Sequence, residues 1–160
     1  GTVALILFGF GWAKPVPVDS RYFKKPRRDV ALTALAGPVS NLLAALVGAF
    51  FVTLLIAFAP SNGVTQFLLN MLYYYVVVNI SLAVFNLIPL PPLDGSRIVG
   101  AFLSSRALYT YYRYQNIFVM VMFFLLFSGA MTGPLSTVQN FFARVIFALA
   151  EAPLRLFGAL

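Results

Sequence analysis

Two polar side chains, Asn86 and Asp94, lie eight residues apart at the end of a long apolar stretch, and both could do chemistry. A carboxylate at membrane depth is costly unless it is paired with a cation or bound to a metal ion. Asp94 is therefore a candidate metal ligand. The side-chain amide of Asn86 could donate a hydrogen bond to an oxyanion that develops during a reaction. Asn86 is therefore a candidate catalytic residue.

Each of these side chains also has a purely structural interpretation. The order Asp94-Gly95-Ser96 before an apolar stretch suits the N-cap of a helix, where a carboxylate accepts a backbone N–H. A cap and a metal ligand are compatible, because a carboxylate has two oxygens. Asn86 could form a hydrogen bond between membrane helices, as polar residues in such helices often do. The spacing alone leaves these interpretations open.

The backbone before Asp94 cannot be a regular helix. The segment reads Asn86-Leu-Ile-Pro-Leu-Pro-Pro-Leu-Asp94-Gly95, and its prolines lack the N–H that a helix interior needs. Irregular backbone at membrane depth is tolerated only where protein or a water-filled cavity surrounds it. The segment therefore predicts the wall of a polar site inside a membrane protein.

Composition supports a membrane protein built from helices. The chain has 160 residues, of which 61% are hydrophobic and 9% charged, whereas soluble domains carry roughly 25% charged residues. Its apolar runs have the length of helices. The net charge of +7 comes from basic residues in the loops between these runs, as the positive-inside rule expects. We therefore exclude nucleic acid as a partner and expect the lipid bilayer instead.

The predicted fold class is an all-α polytopic membrane protein, a single membrane-embedded domain with three to four transmembrane helices. The predicted segments are a helix remnant at 1–10, a basic loop at 11–29, spans at 30–59, 64–88 and 116–132, a cytoplasmic or interfacial segment at 95–115, and a spanning or interfacial helix at 135–158. The charge bias places the two basic segments on the cytoplasmic side.

The segment Pro15-Val16-Pro17-Val18 must be extended, because each proline fixes its own φ and disfavours a helical residue before it. It could be a plain connector. It could instead be a short strand at 14–18 that binds an extended peptide by adding to a sheet edge. Pro15, Val16, Pro17 and Val18 are therefore weak candidates for substrate binding.

Three motifs in this order resemble the site-2 protease family, whose members are intramembrane zinc metalloproteases. They are Gly-Trp-Ala-Lys-Pro-Val-Pro-Val at 11–18, Ala-Gly-Pro-Val-Ser-Asn at 36–41, and the segment from Asn86 to Gly95. The resemblance covers roughly residues 1–115 and is closest to the compact bacterial branch without a PDZ domain. It implies proteolysis of a transmembrane protein substrate and a Zn²⁺ cofactor.

The resemblance also implies roles for particular residues. In the family, the two histidines of a His-Glu-x-x-His helix bind zinc and the glutamate is the general base. Asp94 matches the third zinc ligand, and Asn86 matches a residue that helps to hold the substrate carbonyl or the oxyanion. The 160 residues contain no histidine. We expect the chain to be the C-terminal part of such a protease, with that motif upstream of residue 1, and expect no peptide hydrolysis from this chain alone.

Two other functions fit parts of the sequence. A pseudoprotease would bind membrane helices as a non-catalytic scaffold and would also lack His-Glu-x-x-His. A transporter can have broken helices with polar residues near the bilayer midplane, but it should show a second broken helix in a repeat, and none is visible here. The sequence of the whole protein upstream of Gly1 separates the protease from the scaffold.

Overall fold

The computed structural model describes residues 23–156 and Gly158, and the part of the chain so described is helical without strands. The helices are α1 Pro26–Phe58, α2 Gly63–Asn86, α3 Asp94–Gly100, α4 Ser105–Arg113, α5 Gln115–Phe127 and α6 Thr132–Leu156. This confirms the all-α fold class. The possible strand at 14–18 and the helix remnant at 1–10 lie outside the described residues.

Helix α1 begins at Pro26, four residues before the predicted span. Proline suits the first turn of a helix, where its missing N–H has no intrahelical partner. The carboxylate of Asp29 accepts the backbone N–H of Lys25 at 3.0 Å and so closes the start of the helix. The end of the predicted basic loop, with Arg27, Arg28 and Asp29, is therefore the first turn of α1.

Helix α2 is joined to α1 by a four-residue turn, which places the two helices side by side. The side chain of Asn62 caps α2 by accepting the backbone N–H of Thr65 at 2.9 Å. A β-carbon on Gly48 of α1 would lie 2.8 Å from the ring of Tyr75 and 3.0 Å from Val76. Only glycine allows the two helices to approach this closely.

The core lies where α1, α2 and α6 meet. Its buried members are Ala45, Ala49, Val76, Ile80, Val84, Ile146 and Ala150. A hydrogen bond from Nε2 of Gln139 to Oγ of Ser81, 3.3 Å long, also joins α6 to α2. Small residues at this contact allow close packing, which is how membrane helices associate without a hydrophobic driving force between them.

Large apolar side chains cover the outside of the helices. Leu43, Val47 and Phe51 on one face of α1 are each more than half exposed. Helices α1 and α2 are long and apolar enough to cross a membrane. An exposed apolar surface of this size fits a protein whose solvent is lipid.

Helices α5 and α6 form a bent pair rather than one straight helix. The angle between the two helices is 85°. Together they make a third candidate membrane span if they are the two halves of one broken helix. Gly129 lies between them with φ 74°, a backbone conformation that favours glycine. With 13 residues, α5 alone is about 20 Å long, which is less than the hydrocarbon core of a bilayer. The span at 116–132 stays a prediction.

Candidate functional site

Asp94 is the first residue of α3, and its carboxylate does not cap the helix. The N-cap is Leu93, whose backbone is extended, and no side chain forms a capping hydrogen bond there. Asp94 is half-buried. The structural interpretation as a side-chain N-cap is therefore wrong for this residue, which is instead an acid in the first turn of α3.

The carboxylate of Asp94 faces the backbone of α1 at Gly37. A β-carbon on Gly37 would lie 3.1 Å from Oδ2 of Asp94. Pro38, the next residue, is among the fully buried residues of the structure. Asp94 is thus placed against a point on α1 where the helix carries no side chain.

Gly95, the residue after Asp94, packs against the backbone that follows α2. A β-carbon on Gly95 would overlap the carbonyl oxygens of Leu87 and Ile88, which follow the end of α2. Leu87 is the chain neighbour of Asn86, and Gly95 is the chain neighbour of Asp94. The two candidate residues therefore sit at two helix ends whose adjoining residues are in contact.

The segment between α2 and α3 is a series of tight turns. The N–H of Leu90 donates to the carbonyl of Ile88 at 2.8 Å, and that of Leu93 to the carbonyl of Leu90 at 2.9 Å. The peptide bond between Pro91 and Pro92 is cis. These local bonds replace the helical pattern that the prolines exclude, as the sequence predicted.

A tyrosine of α4 forms a hydrogen bond with the backbone of the same segment. The hydroxyl of Tyr111 donates a hydrogen bond of 2.5 Å to the carbonyl of Pro89. Burial, and to a lesser extent the neighbouring Tyr112, raise the pKa of Tyr111 above the ordinary tyrosine value of about 10. The hydroxyl therefore stays protonated, and able to donate, throughout the physiological range.

Arg27 joins the start of α1 to the connection between α3 and α4. Its Nη1 donates to the carbonyl of Leu103 at 3.2 Å, and its Nη2 donates to Oγ of Ser105 at 2.6 Å. Helix α3 is therefore fixed at both ends, by Gly37 near Asp94 and by Arg27 beyond Gly100.

The metal ligands that this chain offers are few. Its 160 residues contain neither histidine nor cysteine. Within residues 23–156, no three acidic, histidine or cysteine side chains come together as a group that could hold a metal ion. A catalytic zinc ion takes three protein ligands, and the described residues bring no three such side chains together.

The structure places Asn86 and Asp94 at neighbouring helix ends, and the other predicted site residues are not among those it describes. Asn86 is the last residue of α2 and is half-buried. Pro15, Val16, Pro17 and Val18 lie outside the described residues. Sequence reasoning missed the roles of Arg27 and Tyr111. Arg27 was predicted only as part of the basic loop at 11–29, and nothing in the sequence distinguishes Tyr111 from the three tyrosines near it.

Comparison with known proteins places the chain in a family. The profile of peptidase family M50 matches residues 2–129, a range that includes Gly37, Asn86 and Asp94. The chain belongs to peptidase family M50. This confirms the site-2 protease resemblance.

Two relatives of this M50 chain carry names that suggest an activity. It is 46% identical over 105 residues to YwhC of Bacillus subtilis, a protein named as a candidate zinc metalloprotease. That match covers 62% of this chain and 46% of YwhC. It is 38% identical over 74 residues to Rip3 of Mycobacterium tuberculosis, named in the same way, and this match covers 46% of this chain and 18% of Rip3.

The M50 chain thus spans about half the length or less of these curated relatives. No solved structure matches it.

Proposed function

We propose that the whole protein is an intramembrane zinc metalloprotease that hydrolyses peptide bonds of transmembrane protein substrates. The observation that carries the proposal is the position of Asp94. Its carboxylate is half-buried against the backbone of α1, a helix long and apolar enough to cross a membrane, and it caps no helix. A carboxylate kept in such a place is a functional residue by default.

Asp94 is the zinc ligand of this chain in the proposal. Two histidine ligands and a glutamate base, arranged as His-Glu-x-x-His, then belong to a part of the protein outside these 160 residues. The names of YwhC and Rip3 support zinc as the metal. Zinc would act as a Lewis acid on the scissile carbonyl and would lower the pKa of water.

The other residues of this chain position the reaction. Gly37 and Gly95 make room for this arrangement, because a β-carbon on Gly37 would press on the Asp94 carboxylate and one on Gly95 would overlap the carbonyls after α2. Asn86 would donate its side-chain amide to the oxyanion of the substrate peptide. The irregular segment between them packs on the protein through Pro91 and Leu93, which are buried, while Pro89 and Pro92 are exposed.

The proposed location is the bacterial cytoplasmic membrane, with the segments around Lys24 and Arg106 on the cytoplasmic side. The proposed partners are the lipid bilayer and a transmembrane protein substrate.

A non-catalytic scaffold is the second candidate function. The observation that favours it is the absence of histidine from the 160 residues. A scaffold would keep the helix packing around Gly37 and Gly48 but would not need a carboxylate at Asp94.

The test is to measure zinc content and cleavage of a transmembrane substrate together, in the whole protein. Asp94→Ala should abolish cleavage and weaken zinc binding, since it removes a ligand. Asp94→Asn should also fail to cleave, because a neutral amide is a poorer ligand and does not offset the charge of the ion. If Asp94→Ala keeps both near the wild-type level, the proposed function is wrong. If the wild-type protein neither holds zinc nor cleaves, the scaffold is the better account.

A further inference from the structure

An open groove of about 410 Å³ runs along the contact between α1 and α3. Arg27 and Arg28 lie at one end of it. The rest of its lining is apolar and consists of Ala31, Leu32, Leu35, Ile98, Ala101 and Phe102. Neither Asn86 nor Asp94 lines this groove, so it is separate from the candidate active site.

The apolar walls of the groove are open to the surroundings. Leu32 is 51% exposed, and Phe102 is 86% exposed. Both belong to a protein whose α1 is a candidate membrane span. Leu32 therefore faces lipid when α1 is in a bilayer, and Phe102 lines the same groove from the segment predicted to be interfacial.

The groove has a polar end and an apolar end in the order that a phospholipid has. Leu32 and Leu35 follow Arg28 by four and seven residues on α1, which is about 6 Å and 10 Å along the helix axis. The arginines lie at the end of α1 that the charge bias assigns to the cytoplasm. A lipid of the inner leaflet would enter with its headgroup at Arg28 and its acyl chain beside Leu35.

The charge at the polar end suits an anion. The described lining holds two arginines and no acidic side chain. The bonds from Arg27 to Leu103 and Ser105 hold one of these guanidinium groups in place. Guanidinium groups bind phosphate oxygens through paired, charge-assisted hydrogen bonds.

We propose that this groove binds one anionic phospholipid, with its phosphate at Arg27 and Arg28 and one acyl chain along Leu32, Leu35 and Phe102. A substrate peptide fits the charge less well. The cytoplasmic flank of a membrane helix is rich in lysine and arginine, and the two arginines of the groove would repel it.

The test is a lipid titration of the whole protein in detergent, with bound lipids counted by native mass spectrometry. One phosphatidylglycerol should bind more tightly than phosphatidylcholine of the same chain length. Arg28→Gln should weaken phosphatidylglycerol binding about fivefold, the equivalent of roughly 1 kcal/mol per basic residue at an anionic membrane surface. Arg113→Gln is the matched control, because Arg113 ends α4 and does not line the groove, and it should change binding less than twofold.

A second measurement identifies what occupies the groove. A photo-reactive residue in place of Leu32 should cross-link to phosphatidylglycerol, and Phe102→Ala should reduce that yield because it removes one wall. Cross-linking to protein instead would show that a peptide segment fills the groove. Equal binding of phosphatidylcholine, or equal effects of Arg28→Gln and Arg113→Gln, would also overturn the proposal.

Discussion

Gly37 on α1 faces the carboxylate of Asp94 so closely that a β-carbon there would lie 3.1 Å from Oδ2. The contact joins two residues that are 57 positions apart in the chain. Any side chain at position 37 would therefore push the Asp94 carboxylate out of its present position.

The first prediction concerns Gly37. In the whole protein, Gly37→Ala should lower zinc affinity or activity about 10- to 100-fold, the usual cost of disturbing a group that orients a metal ligand. The added methyl group would displace the carboxylate by a few tenths of an ångström. Zinc affinity and substrate cleavage should be measured together. Gly63→Ala is the control, since a β-carbon there meets nothing within 4 Å, and an equal loss in both variants would contradict the prediction.

The second prediction separates Asn86 from Asp94. Asn86→Ala should keep zinc content but lower the cleavage rate roughly 10²- to 10³-fold, the usual cost of losing one oxyanion donor. Asn79→Ala is a control from the same helix, because the Asn79 side chain donates to the carbonyl of Tyr75 at 2.9 Å within α2. Loss of zinc from Asn86→Ala would show that Asn86 supports the metal site rather than the oxyanion.

The third prediction concerns the stability of the turn behind Asp94. Gly95→Ala should destabilise the protein by about 1–3 kcal/mol or more, because the new β-carbon would overlap backbone carbonyls that cannot rotate away. Thermal unfolding in detergent measures this loss. Unchanged stability would mean that α3 can move away from the end of α2.

The fourth prediction concerns Tyr111. Tyr111→Phe should cost about 1 kcal/mol of stability, the usual net value of one hydrogen bond. Tyr109→Phe is the control, since Tyr109 is 70% exposed, and it should be neutral. An equal loss in both variants would show that the bond to Pro89 contributes nothing specific.

The same hydrogen bond predicts a pH dependence. Because the pKa of Tyr111 is raised in the folded protein, the stability it contributes is fully present below about pH 10. It is lost as pH rises through the raised pKa, since a phenolate cannot donate to a carbonyl. Tyr111→Phe should remove this part of the alkaline loss in unfolding measurements.

The fifth prediction concerns topology. Cysteines placed at Lys24 and Arg106 should be labelled from the cytoplasm, and one at Asn62 from the opposite side, because of the charge bias. The chain has no cysteine of its own to interfere, and all three positions are exposed. Labelling of positions 24 and 62 from the same side would show that α1 does not cross the membrane.

The long helices could be predicted from sequence, since hydropathy and length alone define α1 and α2. The beginning of α1 could not. Its first turn contains two arginines and an aspartate, and the bond from Lys25 to Asp29 closes the start of a helix where the charges suggested a loop. Residue type was therefore a good guide to the membrane interior and a poor one at its edge.

The candidate site could be predicted in part. Asp94 and Asn86 were recognisable because polar groups are rare in apolar stretches. Their supports were not, because the contacts of Gly37 with Asp94 and of Tyr111 with Pro89 depend on how separate helices pack. No local pattern in the sequence encodes such a contact.

If Arg28 lies at the cytoplasmic surface, as proposed, the place of the Gly37–Asp94 contact along α1 gives its depth in the bilayer. Gly37 follows Arg28 by nine residues, which is about 14 Å of helix, close to half of a hydrocarbon core of about 30 Å. In the proposed enzyme, a membrane anchor cut at this depth leaves two apolar stubs of about ten residues each. Neither stub is long enough to span the bilayer, so a single cut at mid-depth would release both products from their anchorage.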